Sequence, residues 1–168
     1  NNRIIENTAS KGGASIYADS FSSPLILNNL IAHNDGLTEG GIALRAGVVA
    51  NNTIVDNAGI GLRLYPASGF KQSTATIVNN IIAHDNYEGI FIASHGAVRN
   101  NCYYHPPGIW VDVYPFKEGN FWADPRFVDR AGGDFRLLPG SPCIDAGANA
   151  FIPDTILTDL AGAPRFRD

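Results

Sequence analysis

Short apolar runs alternate with asparagine-, glycine- and aspartate-rich breaks along the first two thirds of the chain. The frame N-N-x-I-x-x-(N/D), as in NNTIVDN at 51–57, occurs four times, and a fifth copy, NNCYYHP, replaces the aliphatic residues by cysteine and tyrosine. The copies follow one another at steps of 21 to 28 residues. Self-similarity at such a period is typical of a stacked repeat architecture. The asparagine doublets that open the five copies lie at 1–2, 28–29, 51–52, 79–80 and 100–101.

Each repeat contains three short apolar segments: one before the doublet, one after it, and one after a glycine, as in GGIALR at 40–45. The third segment alternates with a period of two, which is the signature of a β-strand, and no space remains for a helix. Three strands per turn, stacked on the next turn, predict an all-β, single-stranded right-handed parallel β-helix of about five coils. Its predicted inward side chains on the third strand are Ala14, Ile16, Ile42, Leu44, Ile60, Leu62, Ile90 and Ile92.

The asparagine doublets have a structural explanation in such a stack. Neighbouring coils lie about 4.8 Å apart, asparagine tolerates the left-handed backbone of a tight corner, and stacked amides can hydrogen-bond along a column. We therefore expect a structural ladder formed by Asn29, Asn52, Asn80 and Asn101. A second polar column should mark the next corner, formed by Asn7, Asn34, Asn57 and Asp85.

From residue 108 the repeat frame breaks, and prolines such as Pro139 and Pro153 remove the backbone donors that a regular coil needs. We interpret 1–107 as the coils, and 108–168 as distorted final coils with an irregular, Pro/Gly-rich C-terminal cap of the same domain. The chain lacks methionine, even at position 1, which favours a fragment of a longer chain. Because it opens at a corner, we expect upstream coils or another subunit to cover the N-terminal end.

Composition limits the classes of function. A net charge of −4 argues against nucleic-acid binding, and no apolar run approaches the roughly 20 residues that span a bilayer. The low charged fraction and the many glycines favour a secreted or cell-surface protein. The two cysteines, Cys102 and Cys143, are too few for a metal-binding pattern. They are either buried free thiols or a disulfide that joins the last repeat to the C-terminal segment.

Three C-terminal motifs are similar to those of a known family. GNFWADPRFVD at 119–129, GDFRLLPGSPCIDAG at 133–147 and TDLAGAPRFRD at 158–168 resemble the C-terminal pattern of bacterial right-handed β-helix surface proteins of the choice-of-anchor Q type. The resemblance covers residues 119–168. It implies a pectate-lyase-like solenoid that is secreted or anchored to the cell envelope, and it indicates no particular reaction.

The outward positions of the glycine-led strands form the face on which we expect function. Arg45 and Arg63 are predicted to stack at one strand spacing and to repel each other, so that solvent, Asp19 or an anionic uronate or sulfate should compensate. The register of this prediction takes as equivalent Gly13, Gly41, Gly59 and Gly89. The candidate substrate-binding residues are Tyr17, Asp19, Arg45, Arg63, Tyr65, Phe91 and His95. The alternative is an ordinary solvated sheet face.

A catalytic set is not evident on this face. Polysaccharide lyases on this fold use a basic residue and often calcium held by clustered acids, and inverting glycosidases use a carboxyl pair; only Asp19 and Glu88 are available here. The best base and cation are His95 and Arg63. No cofactor is predicted, and calcium is left open. We expect structural or solvated roles for the remaining candidates, which are His33, His84, His105, Asp145, Asp154 and Asp159.

The sequence thus predicts a secreted or cell-surface β-helix module that binds a polysaccharide or cell-envelope glycan, or mediates adhesion or assembly. A first alternative is the C-terminal part of a polysaccharide lyase or glycoside hydrolase that acts on an acidic polysaccharide. A second is a structural spacer. The missing acid cluster and the short stack of coils favour the non-catalytic interpretation.

Overall fold

The computed structural model describes residues 1–10, 15–19, 22–66, 73–86, 88–92, 96–105, 110–112, 118–151 and 157–164. Its elements are almost all strands, and the described residues also include one 3-10 turn, Asn149–Phe151. In chain order the strands are β1 (Arg3–Ile5), β2 (Thr8–Ala9), β3 (Ile16–Tyr17), β4 (Leu25–Leu27), β5 (Leu30–Ala32), β6 (Asp35–Leu44), β7 (Val48–Ala50), β8 (Thr53–Val55), β9 (Ala58–Leu64), β10 (Thr76–Val78), β11 (Ile81–Ala83), β12 (Glu88–Ile92), β13 (Ala97–Arg99), β14 (Cys102–Tyr104), β15 (Trp110–Asp112), β16 (Phe121–Trp122), β17 (Phe127–Asp129) and β18 (Asp134–Leu137).

The strands of the coils form three parallel sheets. Sheet A, which follows the asparagine doublets, has the order β1-β5-β8-β11-β14-β16. Sheet B carries the glycine-led strands in the order β15-β12-β9-β6-β2, with β3 also paired to β6. Sheet C precedes the doublets, in the order β13-β10-β7-β4. Within the described residues, one strand from each sheet completes a turn, which gives four complete turns followed by β14, β15 and β16. This confirms the parallel β-helix predicted from the repeats.

Columns of matching apolar side chains form the core. In sheet A, Ile31 pairs in register with Ile54, and Ile54 with Ile82, and none of the three is exposed. Sheet B contributes an equally buried column through Leu62 and its neighbours on β6 and β12. Stacked burial of this kind stabilises a solenoid mainly through apolar area removed from water. The predicted inward residues of sheet B are buried or pack against this core, apart from Ala14, which lies outside the described residues.

The register of sheet B differs from the predicted one by two residues. Ile42 pairs with Leu62 and Leu62 pairs with Ile90, so the glycine equivalent to Gly41 and Gly89 is Gly61. The predicted equivalence of Gly59 is therefore wrong. That of Gly13 is wrong too, because Ile16 pairs with Ile42 and Ser15 is therefore the residue equivalent to Gly41. Because strand side chains alternate with a period of two, a slip of two residues preserves which side chains face inward and changes only their neighbours.

The doublets form the expected ladder, and it is longer than predicted. The second asparagine of each doublet donates from its backbone and side-chain nitrogens to the Oδ1 of the next coil, as Asn52 does to Asn80 at 2.9 and 3.0 Å. The complete ladder runs through Asn2, Asn29, Asn52, Asn80, Asn101 and Asn120. The first asparagines take the left-handed backbone, with φ between 52° and 59° at Asn28, Asn51, Asn79 and Asn100.

The second polar column is also present, and it ends in an acid. Asn7 donates to Asn34, Asn34 to Asn57, and Asn57 to Oδ1 of Asp85 at 2.9 Å. The residue before each member turns the corner in the left-handed region, as His33 and His84 do with φ of 56° and 60°.

After β16 the chain leaves the coils and returns along the outer side of sheet A. We call this segment, residues 123–151 and 157–164, the strap. Its antiparallel pair β17–β18 packs Phe127 and Phe135 on Leu30, Ala32 and Val55. Further strap residues bind doublet corners: Ala148 exchanges two hydrogen bonds with Asn79, the Thr158 carbonyl accepts one from Asn28, and the Asp159 carbonyl accepts one from Asn1. The segment that we expected to cap the stack thus lies along its side, as far as Asn1.

Candidate functional site on sheet B

The outer face of sheet B brings most of the predicted site residues together in two rows. Tyr17 lies beside Ala43, Ala43 beside Arg63, and Arg63 beside Phe91. In the next row Arg45 lies opposite Tyr65, as the register of β6 and β9 requires. We call these outward residues the sheet B face. Tyr17 is its most open member, with 58% of its surface exposed.

An irregular stretch in β6 adds an acid to this face. Ile42 lies eight positions after the column residue Asn34, whereas its counterpart Leu62 lies only five positions after Asn57. The pairing of β6 with β9 shifts on both sides of Glu39 to accommodate the extra residues. Such bulges re-aim side chains. As a result Glu39 is only 3% exposed and lies against the two rows.

Three donors hold the carboxylate of Glu39. Oε1 accepts from Nη1 of Arg63 at 2.7 Å and from the hydroxyl of Tyr65 at 2.5 Å, and Oε2 accepts from the hydroxyl of Thr38. Burial would raise the pKa of Glu39, but the hydrogen bonds from Thr38, Tyr65 and Arg63 outweigh it, so that the pKa is lowered. Glu39 is therefore ionised at neutral pH. Burial and the hydrogen bond to Glu39 raise the pKa of Tyr65, which keeps its proton.

The two arginines share one aromatic ring. The guanidinium carbons of Arg45 and Arg63 each lie 4.9 Å from the centroid of the Tyr65 ring, and that of Arg63 lies 4.8 Å from the Phe91 ring. These are cation–π distances. The predicted direct stacking of Arg45 on Arg63 is wrong, because the register places Arg45 opposite Tyr65. Glu39 supplies the compensating charge for Arg63, and neither Asp19 nor a bound anion is needed for it.

One predicted residue lies beyond the end of the two rows, and another lies outside the described residues. Asp19 follows β3 and closes a turn in which its carbonyl accepts from the amide of Ser22 at 3.4 Å. His95 lies outside the described residues, as does the side chain of Glu88. Sequence reasoning missed Glu39 and Thr38. The available signal was the long segment DGLTEGG, which exceeds the length of its counterparts and contains the acid.

The remaining polar candidates have structural environments. His33 stacks on Phe135 with ring centroids 5.6 Å apart, and Nδ1 of His84 contacts Arg130 at 2.5 Å. Asp159 accepts the amide of Ala163 at 2.8 Å, as expected for a turn cap. Asp145 occupies the left-handed region with φ of 55°, and Asp154 lies outside the described residues. In the part of the chain that the structure describes, no group of three acidic, histidine or cysteine side chains is placed to hold a metal ion.

A buried polar pair occupies the end of the second column. Oδ2 of Asp85 and both ring nitrogens of His105 have no hydrogen-bond partner within the described part of the chain. The side chains of Asp85 and His105 each pack closely on a glycine. A Cβ atom added to Gly61 would lie 2.1 Å from Oδ2 of Asp85, and one added to Gly89 would lie 1.5 Å from Nε2 of His105. Burial, opposed in part by the hydrogen bonds of Asn57, raises the pKa of Asp85 to about 8. Burial lowers the pKa of His105 to about 4.

Comparison with known proteins supports the fold. The family described as "Right handed beta helix region" matches residues 1–114. The chain belongs to this family. No curated protein and no solved structure matches it. In this right-handed β-helix, no described helix is long and apolar enough to cross a membrane.

The cluster on this β-helix is better suited to binding than to proton transfer. Glu39 already accepts three hydrogen bonds, and the charge of Arg63 is paired with it. Arg45 donates one hydrogen bond, from Nη1 to the Pro66 carbonyl at 2.5 Å, and it has no carboxylate within ion-pair distance among the described residues. The sheet B face therefore offers aromatic rings and one cation whose charge is not neutralised by a neighbouring acid.

Proposed function

We propose that the sheet B face binds an acidic polysaccharide and that the protein acts as a secreted or cell-surface glycan-binding module. Tyr17, Tyr65 and Phe91 provide the stacking surfaces, and Arg45 contacts a uronate carboxylate or a sulfate. Arginine is suited to this role because its planar guanidinium donates to two oxygens of an oxyanion at once.

The observation that carries the proposal is the network around Glu39. It fixes Tyr65 through the phenol hydroxyl and fixes Arg63 between Tyr65 and Phe91. The side chains that would contact a sugar are thus ordered before binding, which lowers the entropic cost of binding. A shallow face with rigid rings and one open cation matches an extended, negatively charged chain.

The same network weakens the enzymatic alternative. A lyase base must be free to contact the proton that it removes from the sugar, whereas Nη1 of Arg63 already donates to Oε1 of Glu39 at 2.7 Å. Glu39 could act as a glycosidase carboxylate only after giving up its three donors. We therefore favour binding without turnover, and treat turnover as an outcome of the test.

The test is affinity electrophoresis of the protein through gels that contain polygalacturonate, alginate or a neutral galactan. We expect retardation by the acidic polymers, and about tenfold weaker binding for Arg45→Ala, since a charge-assisted contact contributes on the order of 1.5 kcal/mol. Arg3→Ala, an exposed cation on β1 in sheet A, is the matched control and should bind as the wild type does.

Two results would contradict the proposal. One is migration that no acidic polymer affects. The other is equal weakening by Arg45→Ala and Arg3→Ala, which would show that only net charge matters. A steady rise in ultraviolet absorbance from unsaturated uronates would instead favour the lyase alternative.

A further inference from the structure

The two cysteines come together where the strap leaves the coils. Cys102 opens β14 and is 2% exposed, and its thiol lies 3.3 Å from the carbonyl oxygen of Ala123, which it approaches as a donor. Cys143 belongs to the strap, in a turn where its amide donates to the hydroxyl of Ser141 at 3.2 Å. That hydroxyl in turn donates to the carbonyl of Pro125. The side chains of Cys102 and Cys143 lie against each other, although 41 positions separate them in the sequence.

Exposure divides the two thiols into a nucleophile and a partner, because Cys102 is 2% exposed whereas Cys143 is only half-buried. In line with this, their interaction lowers the pKa of Cys143, and together with burial it raises the pKa of Cys102. A thiolate, not a thiol, attacks a disulfide. Cys143 is also half-buried and lines a groove of about 970 Å³ between the strap and the doublet corners, so it can be reached from solvent.

We propose that Cys102 and Cys143 are a thiol–disulfide modification site that takes small-molecule disulfides and clamps the strap to the coils. Cys143 attacks one sulfur of a disulfide such as oxidised glutathione, forming a mixed disulfide and releasing the first glutathione thiol. Cys102 then gives up its proton and attacks the Cys143 sulfur, and the second glutathione thiol leaves. The protein loses two protons and two electrons, and the small-molecule disulfide gains them.

The clamp would act where the strap is held by few other interactions. Beyond β18, the described attachments to the coils are the hydrogen bonds of Asn79 with Ala148 and those of Asn1 and Asn28 with Thr158 and Asp159. A covalent link from β14 to Cys143 removes freedom from the unfolded chain. It also fixes one wall of the groove against sheet A. The redox state of the pair thus sets how firmly the groove is closed.

The chemical test uses the full chain, reduced, freed of reductant and then exposed to oxidised glutathione. Peptide mapping by mass spectrometry without reductant should find Cys102 linked to Cys143, in a monomer that has lost two hydrogens. Cys102→Ser should retain one glutathione on Cys143, because the resolving thiol is missing. Cys143→Ser should remain unmodified, because Cys102 is buried. Wild-type protein that keeps glutathione, links to a second copy or does not react would overturn the proposal.

The structural test compares oxidised and reduced wild-type protein, so no variant needs to fold. Oxidation should slow hydrogen exchange of the Ala148 amide, which donates to Oδ1 of Asn79. It should also raise the Tm by roughly 10 °C, the size expected for a disulfide that closes a loop of this length in a domain of this size. An internal disulfide that leaves both the exchange rate and the Tm unchanged would show that the link does not clamp the strap.

Discussion

At the residue scale, the two asparagines of each doublet have different roles. The first, such as Asn51, adopts a left-handed backbone that most side chains avoid. The second, such as Asn52, is 1% exposed and joins three coils through its amide. The repeat in the sequence was sufficient to predict the ladder, because a residue that must satisfy buried polar groups in every coil recurs at the same position.

Substitutions at one doublet should separate these roles. Asn52→Ala removes the acceptor of two Asn29 nitrogens and the donor to Asn80, leaving buried groups unpaired, and should cost about 3 kcal/mol of unfolding free energy. Asn51→Gly should change stability by less than about 1 kcal/mol, since glycine adopts a positive φ without strain. Urea denaturation of the two variants measures the difference. Similar losses at both positions would contradict the division of roles.

Asp85 is an acid, whereas the three residues before it in the second polar column are asparagines. Asn34 and Asn57 use their Nδ2 to donate to a carbonyl one coil back, that of Ile4 and that of Ile31. The second oxygen of Asp85 cannot donate unless it is protonated, and burial raises its pKa to about 8, which favours the protonated form.

Asp85→Asn should therefore stabilise the protein increasingly as the pH rises. The folded-state pKa of Asp85 lies above its unfolded value, so its stabilising contribution is complete below about pH 4 and is lost as the pH rises through about 8. The difference in unfolding free energy between variant and wild type should grow by about 1.4 kcal/mol per pH unit across that window and then level. Urea titrations at several pH values measure it.

The exposed Asp35, one position past the column residue Asn34, provides the control. Asp35→Asn makes the same substitution without touching the column, so a pH-dependent gain in stability that appears equally in both variants would not come from the column. If the difference in unfolding free energy between Asp85→Asn and the wild type did not change with pH, Asp85 would be ionised in the folded protein.

At the element scale, the strands and their faces could be predicted, but the register of sheet B could not. Gly59 and Gly61 are two positions apart, and both fit the alternating pattern, so the pattern alone cannot select between them. The pairing with β12 selects Gly61. Glu39 was missed for a related reason: it belongs to extra residues that the repeat frame does not contain. Its position depends on how β6 absorbs them against β9.

The unfolding free energy lost on substitution in the Glu39 network should depend on whether the substitution leaves a charge unpaired. Glu39→Gln leaves the partly buried Arg63 without an anion and should cost about 3 kcal/mol. Tyr65→Phe removes one of three donors and should cost about 1.5 kcal/mol. Glu118→Gln breaks the exposed pair with Arg99 and should cost less than about 1 kcal/mol. Urea denaturation compares the three, and a loss at Glu118 equal to that at Glu39 would contradict the buried network.

At the scale of the whole molecule, the strap connects coils that otherwise contact only their neighbours. In a solenoid, stability is close to a sum over adjacent repeats. The strap contacts several coils at once: it packs on β5 and β8, binds the corner at Asn79, and reaches back to Asn1. The sequence marked this segment as irregular through its prolines, but its path depends on contacts between distant residues that no local pattern encodes.

Phe135 should control whether the strap stays on the coils. Its ring packs on Phe127 at 5.4 Å and on His33 at 5.6 Å, over the small cluster of Leu30, Ala32 and Val55. Phe135→Ala should cost about 2 kcal/mol, because the ring is only partly buried. Val128→Ala, on the same hairpin but 42% exposed, should have little effect.

The loss of stability in Phe135→Ala should be confined to the strap. The reason is that the strap contacts the coils over a small area, whereas the interior of the coils is continuous. Hydrogen exchange should therefore accelerate at the Ala148 amide, and protease cleavage should concentrate in the strap. The amides of Ile54 and Ile82, inside sheet A, should keep their protection. If those coil amides lost protection in step with Ala148, the strap and the coils would unfold as one cooperative unit, and the strap would be part of the solenoid core rather than an attachment to it.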